Sequence, residues 1–234
     1  MNAGIIAAGH GSRLRGLGAG VPKPLFPVAG RPLIHWVALG LRAAGTRSVT
    51  LLLNSSGDAV RAYLEREPHG LDWTFLRQDT ASSWESFRLV SRTLAQGSEE
   101  FLLSTVDALV PPAETARFAR EAAAAPRPDA ALALTRFVED EKPLWADLDP
   151  DGRVSALGPG AVRRDAVTCG VYYLTRGAAA VMPEAAAYGR LRDYWAALLA
   201  GGRTVRGVLL SDTVDLDRAE DLPAAERMAS CFDA

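Results

Sequence analysis

The chain is poor in cysteine, histidine and surplus charge, and each scarcity removes a class of function. Its 2 cysteines, Cys169 and Cys231, lie far apart and in no C-x-x-C arrangement. That excludes a zinc ribbon or a disulfide framework and fits a reduced, cytoplasmic setting. The 3 histidines, His10, His35 and His69, form neither a metal set nor a triad. Lys and Arg number 26 against 28 Asp and Glu, a net charge of −2. No global basic field points to nucleic acid, so any phosphate site has to be local. No window approaches the roughly 18 apolar residues of a membrane span, and no charged leader precedes a long apolar stretch. Neither a membrane nor a nucleic acid is therefore an expected partner, and the sequence leaves the oligomeric state open.

What is present is an ordinary globular composition, 48% hydrophobic and 23% charged over 234 residues. That is enough for one large α/β domain with a full core. Strand and helix patterns alternate through the first half: strands near 3–8, 48–53, 73–76 and 101–106, with helices over 32–44, 58–66 and 82–95. This is βαβ wiring, and ligand sites in such sheets gather at the carboxyl ends of strands. Past Pro111 the expected elements are a helix, extended segments at 129–135, 144–149 and 167–174, a last strand around 205–210, and helices over 189–200 and 219–229. The alanine-rich stretches 121–125 and 177–180 show no repeat period.

The densest chemistry lies at the start. Ile5 to Ala8 is a short buried strand, followed by Gly9-His10-Gly11-Ser12-Arg13-Leu14 and then Pro22-Lys23-Pro24-Leu25. Gly9 and Gly11 can take positive φ and let backbone N–H groups approach phosphate oxygens; Arg13 and Lys23 add positive charge. There is no G-x-x-x-x-G-K-[ST] run, because Pro24 follows Lys23, and a dinucleotide fingerprint would need glycine at Leu14.

Taken in order, Ala7 to Leu14, Pro22 to Leu25 and Gly30-Arg31-Pro32-Leu33 resemble the signature of the sugar-phosphate nucleotidyltransferases, the NDP-sugar pyrophosphorylases. Val214-Asp215-Leu216-Asp217-Arg218-Ala219-Glu220-Asp221-Leu222 is similar to that family's closing segment, with Arg218 and Ala219 in place of threonine and proline. The resemblance implies a single-domain, Rossmann-like α/β/α fold with a mixed sheet. Residues 1–110 would form a nucleotide-binding half, and 111–234 an acceptor-binding half carrying the second metal aspartate. It implies transfer of a nucleoside monophosphate from an NTP to a phosphorylated small molecule, preferably a sugar-1-phosphate, with release of pyrophosphate.

The same resemblance assigns roles. Arg13 and Lys23 are the catalytic cations, on the triphosphate and the transferring α-phosphate. Ala7, Ala8, Gly9, Gly11, Ser12 and Arg13 bind nucleotide, joined by Gln78, Thr80 and Ser82 near the base; Thr80 and Ser82 serve equally as helix caps. Asp107 and Asp215 are the expected Mg2+ ligands, with Asp217 as a helix cap receiving the Glu220 N–H. Val106 stands where relatives have glycine. Lys142 and Gly170 face the acceptor, Lys142 being explained equally by an exposed charged turn and Gly170 by a strand bulge. Other readings are a phosphocholine-type cytidylyltransferase, a molybdopterin nucleotidyltransferase, a silent nucleotide-binding regulator, and a glycosyltransferase, whose D-x-D would not sit beside the C-terminus.

Overall fold

The structure, a computed structural model, describes residues 1–9, 20–136 and 143–232. In chain order the first half runs β1 (Asn2–Ala7), β2 (Pro27–Val28), β3 (Arg31–Pro32), α1 (Leu33–Ala43), β4 (Ser48–Leu53), α2 (Asp58–Arg66), β5 (Asp72–Arg77), α3 (Ser83–Ala95) and β6 (Glu100–Thr105). The second half continues with β7 (Ala108–Leu109), α4 (Pro112–Ala122), β8 (Ala130–Thr135), β9 (Trp145–Leu148), β10 (Val154–Leu157), β11 (Ala166–Thr175), α5 (Arg176–Ala180), α6 (Leu191–Ala200), β12 (Val205–Leu209), β13 (Val214–Asp215) and α7 (Leu222–Ala229).

One mixed sheet organises these elements. Its path is β10-β9-β11-β6-β1-β4-β5, with β8 paired to β11 and β12 to β8. The pairs β6–β1, β1–β4 and β4–β5 are parallel, whereas β11 runs antiparallel to both β6 and β8. Side-chain alternation then builds two cores. Ala3, Ile5 and Ala7 of β1 and Leu102 of β6 pack with Ile34 and Leu41 of α1, Leu64 of α2 and Phe118 of α4. On the opposite face Phe101 and Leu103 pack with Trp84, Phe87 and Val90 of α3 and Trp195 of α6. The result is the expected helix–sheet–helix sandwich.

Two local features set the site. At Gly4 a Cβ would lie 2.3 Å from the Val90 Cγ1, so only glycine lets α3 close onto β1. The N-terminus of α3 lies at the carboxyl end of β1, where Ser82 and Ser83 share a cavity with Ala7 and Ala8. Ala29 and Gly30 both have positive φ, 48° and 76°, and turn β2 into β3 as a tight hairpin. That hairpin is the local form of the Gly-Arg-Pro-Leu run, and Pro32 then ends it and opens α1.

Periodicity located the long elements and passed over the short ones. The β2–β3 hairpin, β10 and the β7–β13 pair were not expected. The single helix expected over 219–229 divides into a 3-10 turn, Ala219–Asp221, and α7. No helix among the described residues is long and apolar enough to cross a membrane.

Candidate active site

The carboxyl ends of β1 and β6, the start of α3 and the turn carrying Lys23 surround a cavity of about 500 Å³. Ala7, Ala8, Gly9, Lys23, Thr80, Ser82, Ser83, Thr105, Asp107 and Asp217 are on its wall. Gly9 and Asp107 thus share one cavity, in keeping with their strand-end positions. Asn54, just beyond β4, steadies the entry to the loop by donating from Nδ2 to the Ala8 carbonyl at 3.3 Å.

Lys23 opens a 3-10 turn, Lys23–Leu25, between Pro22, at φ −57°, and the buried Pro24. The two prolines restrict the backbone that aims it. Its side chain is only 9% exposed, and Nζ donates to Asp107 Oδ2 at 2.7 Å and Asp217 Oδ1 at 2.6 Å. Burial opposes the charged ammonium, but the Coulomb attraction and hydrogen bonds of the two aspartates outweigh it and raise the pKa above the ordinary lysine value. Asp107 is the mirror case: burial pushes its pKa up, and Lys23 overrides this and holds it below the usual aspartate value. Both groups are charged at neutral pH.

The acidic cluster depends on a two-residue ladder. β7, just past Asp107, pairs with β13 so that Asp215 lies opposite Ala108, and the Leu216 N–H donates to the Asp107 carbonyl at 3.1 Å. Carboxylate oxygens of Asp107, Asp215 and Asp217 consequently lie within 4.8 Å of one another. An all-oxygen anionic donor set of this kind fits a hard divalent cation such as Mg2+. Asp217 departs from the capping role expected of it. Its carboxylate is engaged by Lys23, Arg218 occupies the N-cap position of the following 3-10 turn without a side-chain capping bond, and Asp221 reaches back to accept from the N–H groups of Asp217 at 2.9 Å and Arg218 at 2.7 Å. An aspartate nearer the helix performs the cap, leaving Asp217 for the cluster.

The remaining expected residues separate. Thr80 and Ser82 line the cavity, yet both are also engaged locally. Thr80 Oγ1 lies 2.6 Å from Ser86 Oγ, and Ser82 caps α3 by accepting from the Glu85 N–H at 3.0 Å. Gln78 is not among the lining residues, and its amide donates to Glu85 Oε1 at 3.3 Å. Gly11, Ser12, Arg13 and Lys142 lie outside the described residues.

A second cavity of about 290 Å³ adjoins the first and shares Ser83, Thr105 and Asp107 with it. Its other wall residues are Leu144, Thr168, Gly170, Tyr172, Arg190, Leu191, Arg192, Trp195 and Asp215. Gly170 is here both bulge and close approach. The β11–β8 register shifts between Thr168 and Tyr172, Gly170 has φ +80°, and a Cβ would fall 2.5 Å from Thr105 Oγ1. Beside it, burial pushes the Cys169 thiol up to about 12, leaving a structural thiol with no nucleophilic character at neutral pH. Arg190, Arg192 and Trp195 were not among the residues expected at the site. The run Gly-Arg-Leu-Arg at a helix start was the available signal.

A mixed sheet between two helix layers, with a glycine-loop strand end beside an acidic cluster, is the Rossmann-like nucleotidyltransferase fold. An inositol-1-phosphate CTP transferase from T. maritima has it, with a TM-score of 0.81 at 19% identity, covering 97% of this chain and 94% of that one. Residues 3–187 match the family described as the MobA-like NTP transferase domain, and the chain belongs to that family. A glucose-1-phosphate thymidylyltransferase of Streptomyces griseus is 29% identical over 218 residues, 90% of this chain and 61% of the relative. One of Streptomyces antibioticus is 29% identical over 185 residues, 75% of this chain and 49% of the relative. The chain spans about half to three fifths of the length of these curated relatives.

Proposed function

We propose that this chain transfers a nucleoside monophosphate from an NTP to a phosphorylated small molecule, a sugar-1-phosphate before others, and releases pyrophosphate. The observation that carries the reading is one buried lysine and three aspartates at the seam of two cavities. Two anions have to meet in such a transfer, so charge stabilisation is the main demand on the protein. The glucose-1-phosphate thymidylyltransferase relatives support the sugar-1-phosphate preference.

The first cavity takes the NTP. Ala8 and Gly9 line the end that takes its phosphates, and the resemblance adds Gly11, Ser12 and Arg13. Lys23 exchanges a carboxylate for the α-phosphate, its backbone already restrained by two prolines. Asp107 and Asp215, with Asp217, would hold Mg2+, which when bound neutralises phosphate charge and orients the oxygens for in-line attack. The second cavity takes the acceptor, with Gly170 giving it room and the resemblance adding Lys142. No general base is required, because the attacking phosphate oxygen is already ionised. In this reading residues 1–110 bind the nucleotide and 111–234 the acceptor, and a reduced cytoplasmic setting suits the free thiols.

The test is pyrophosphate release with Mg2+, pairing ATP, CTP, GTP, UTP and dTTP with sugar-1-phosphates, phosphocholine and molybdopterin. Acceptor-dependent release that disappears in Lys23→Ala is expected. Nucleotide binding without release under every pairing would instead indicate a silent regulator.

A further inference from the structure

The wall that the start of α6 gives to the second cavity is built from hydrogen-bond donors. Arg190 and Arg192 bring two guanidinium groups, which donate and never accept. Arg190 is exposed and makes no ion pair among the described residues. Trp195 follows one turn later, and its indole N–H is buried without a partner among the described residues. Ser83 completes the group. Its Oγ already accepts from the Leu191 N–H at 3.1 Å, which ties α6 to α3 and leaves the hydroxyl proton to be given away. Among the described residues, the carboxylates in this lining are Asp107 and Asp215, which belong to the cluster at the reacting side.

A neutral sugar hydroxyl both donates and accepts, and a wall suited to it mixes carbonyl or carboxylate oxygens with donors. A wall that places two permanent cations beside an indole N–H suits a group that only accepts. The reacting phosphate has its own counter-charge in Lys23 and in the cation that the aspartates are suited to hold. Arg192, Tyr172 and Asp215 line this one cavity of about 290 Å³, so the arginine wall and the reacting side face a common space. A small acceptor can span them.

We propose that the acceptor carries a second acidic group, a carboxylate, phosphate or phosphonate, besides its reacting phosphate, and that Arg190 and Arg192 select it. The inference rests on the reading of the second cavity as the acceptor side. It is tested by equilibrium binding, without NTP, of glucose 1-phosphate, glucuronic acid 1-phosphate and glucose 1,6-bisphosphate in the presence of Mg2+. The two acid-bearing probes are expected to bind at least tenfold more tightly than glucose 1-phosphate. The ratio should fall to near one in Arg190→Ala/Arg192→Ala, and the double Lys variant should restore part of it. Equal affinity for all three probes, or a double variant that keeps the full preference, overturns the proposal. Because this readout involves no turnover, a failed pyrophosphate assay would reject the transferase reading and leave the anion preference measurable.

Discussion

Lys23 holds two aspartates, and in the proposed transfer it releases them, at least in part, when phosphate arrives. A buried cation in contact with two carboxylates neutralises a cluster that would otherwise repel itself, and removing it leaves those charges uncompensated. Lys23→Met should therefore abolish transfer and tighten divalent-ion binding to the ligand-free protein, because the competing ammonium is gone. Titration with Mn2+ reads this directly, and unchanged or weaker binding would show that ammonium and metal do not compete. Asp107→Asn and Asp215→Asn should each lower turnover roughly 100-fold or more with the fold retained, since each removes charge at the reacting phosphate. Steady-state kinetics beside a circular dichroism spectrum checks both halves of that statement. Asp107 and Asp215 were legible in the sequence because one ends an apolar strand and the other lies in a recognisable closing segment. The role of Asp217 was not, because only the contact with Lys23, 194 residues away, distinguishes a cluster aspartate from a cap.

The β7–β13 ladder has two residues on each strand, too few for any period, yet it brings Asp215 beside Asp107. Long elements behaved oppositely. β4 and α2 occupy the residues that the pattern assigned, because a buried strand and an amphipathic helix each repeat over six residues or more. The bulge in β11 lies between these cases. Gly170 was visible as a glycine in a strand, but its reason is the neighbour it meets: Thr105, from β6. Gly170→Ala should cost roughly 2–3 kcal/mol, from the strained positive φ and the overlap with Thr105 and Ala108 together. Urea unfolding measures it, and a loss below about 0.5 kcal/mol would mean that the bulge relaxes freely.

Across the whole molecule the sheet separates two cores, and the site sits where strands from both halves of the chain end. Cooperative packing makes stability sensitive to groups far from the chemistry. His69 is one of these. Half-buried beside the His35 ring, its imidazole is pushed down from the ordinary 6.5 to about 4, first by burial and then by His35. The unfolded chain takes up this proton more readily than the folded one, so stability should be full above about pH 6.5 and decline as pH falls toward 4. Solvent screening at a half-exposed ring limits the loss to about 1–2 kcal/mol. His69→Asn, which tolerates the positive φ of 56° there, should flatten that part of the pH–stability curve; an unchanged slope would assign it to other groups. In the proposed transfer an acceptor phosphate oxygen attacks the α-phosphorus of an NTP. Glucose 1-phosphate, or the acidic acceptor that binds best, can be prepared with 18O in its non-bridging phosphate oxygens, incubated with NTP and Mg2+, and the products weighed by mass spectrometry. The expected product is a nucleoside diphosphate conjugate that retains every labelled oxygen, with unlabelled pyrophosphate. Label in orthophosphate or pyrophosphate, or unconjugated nucleoside monophosphate as the product, would contradict it.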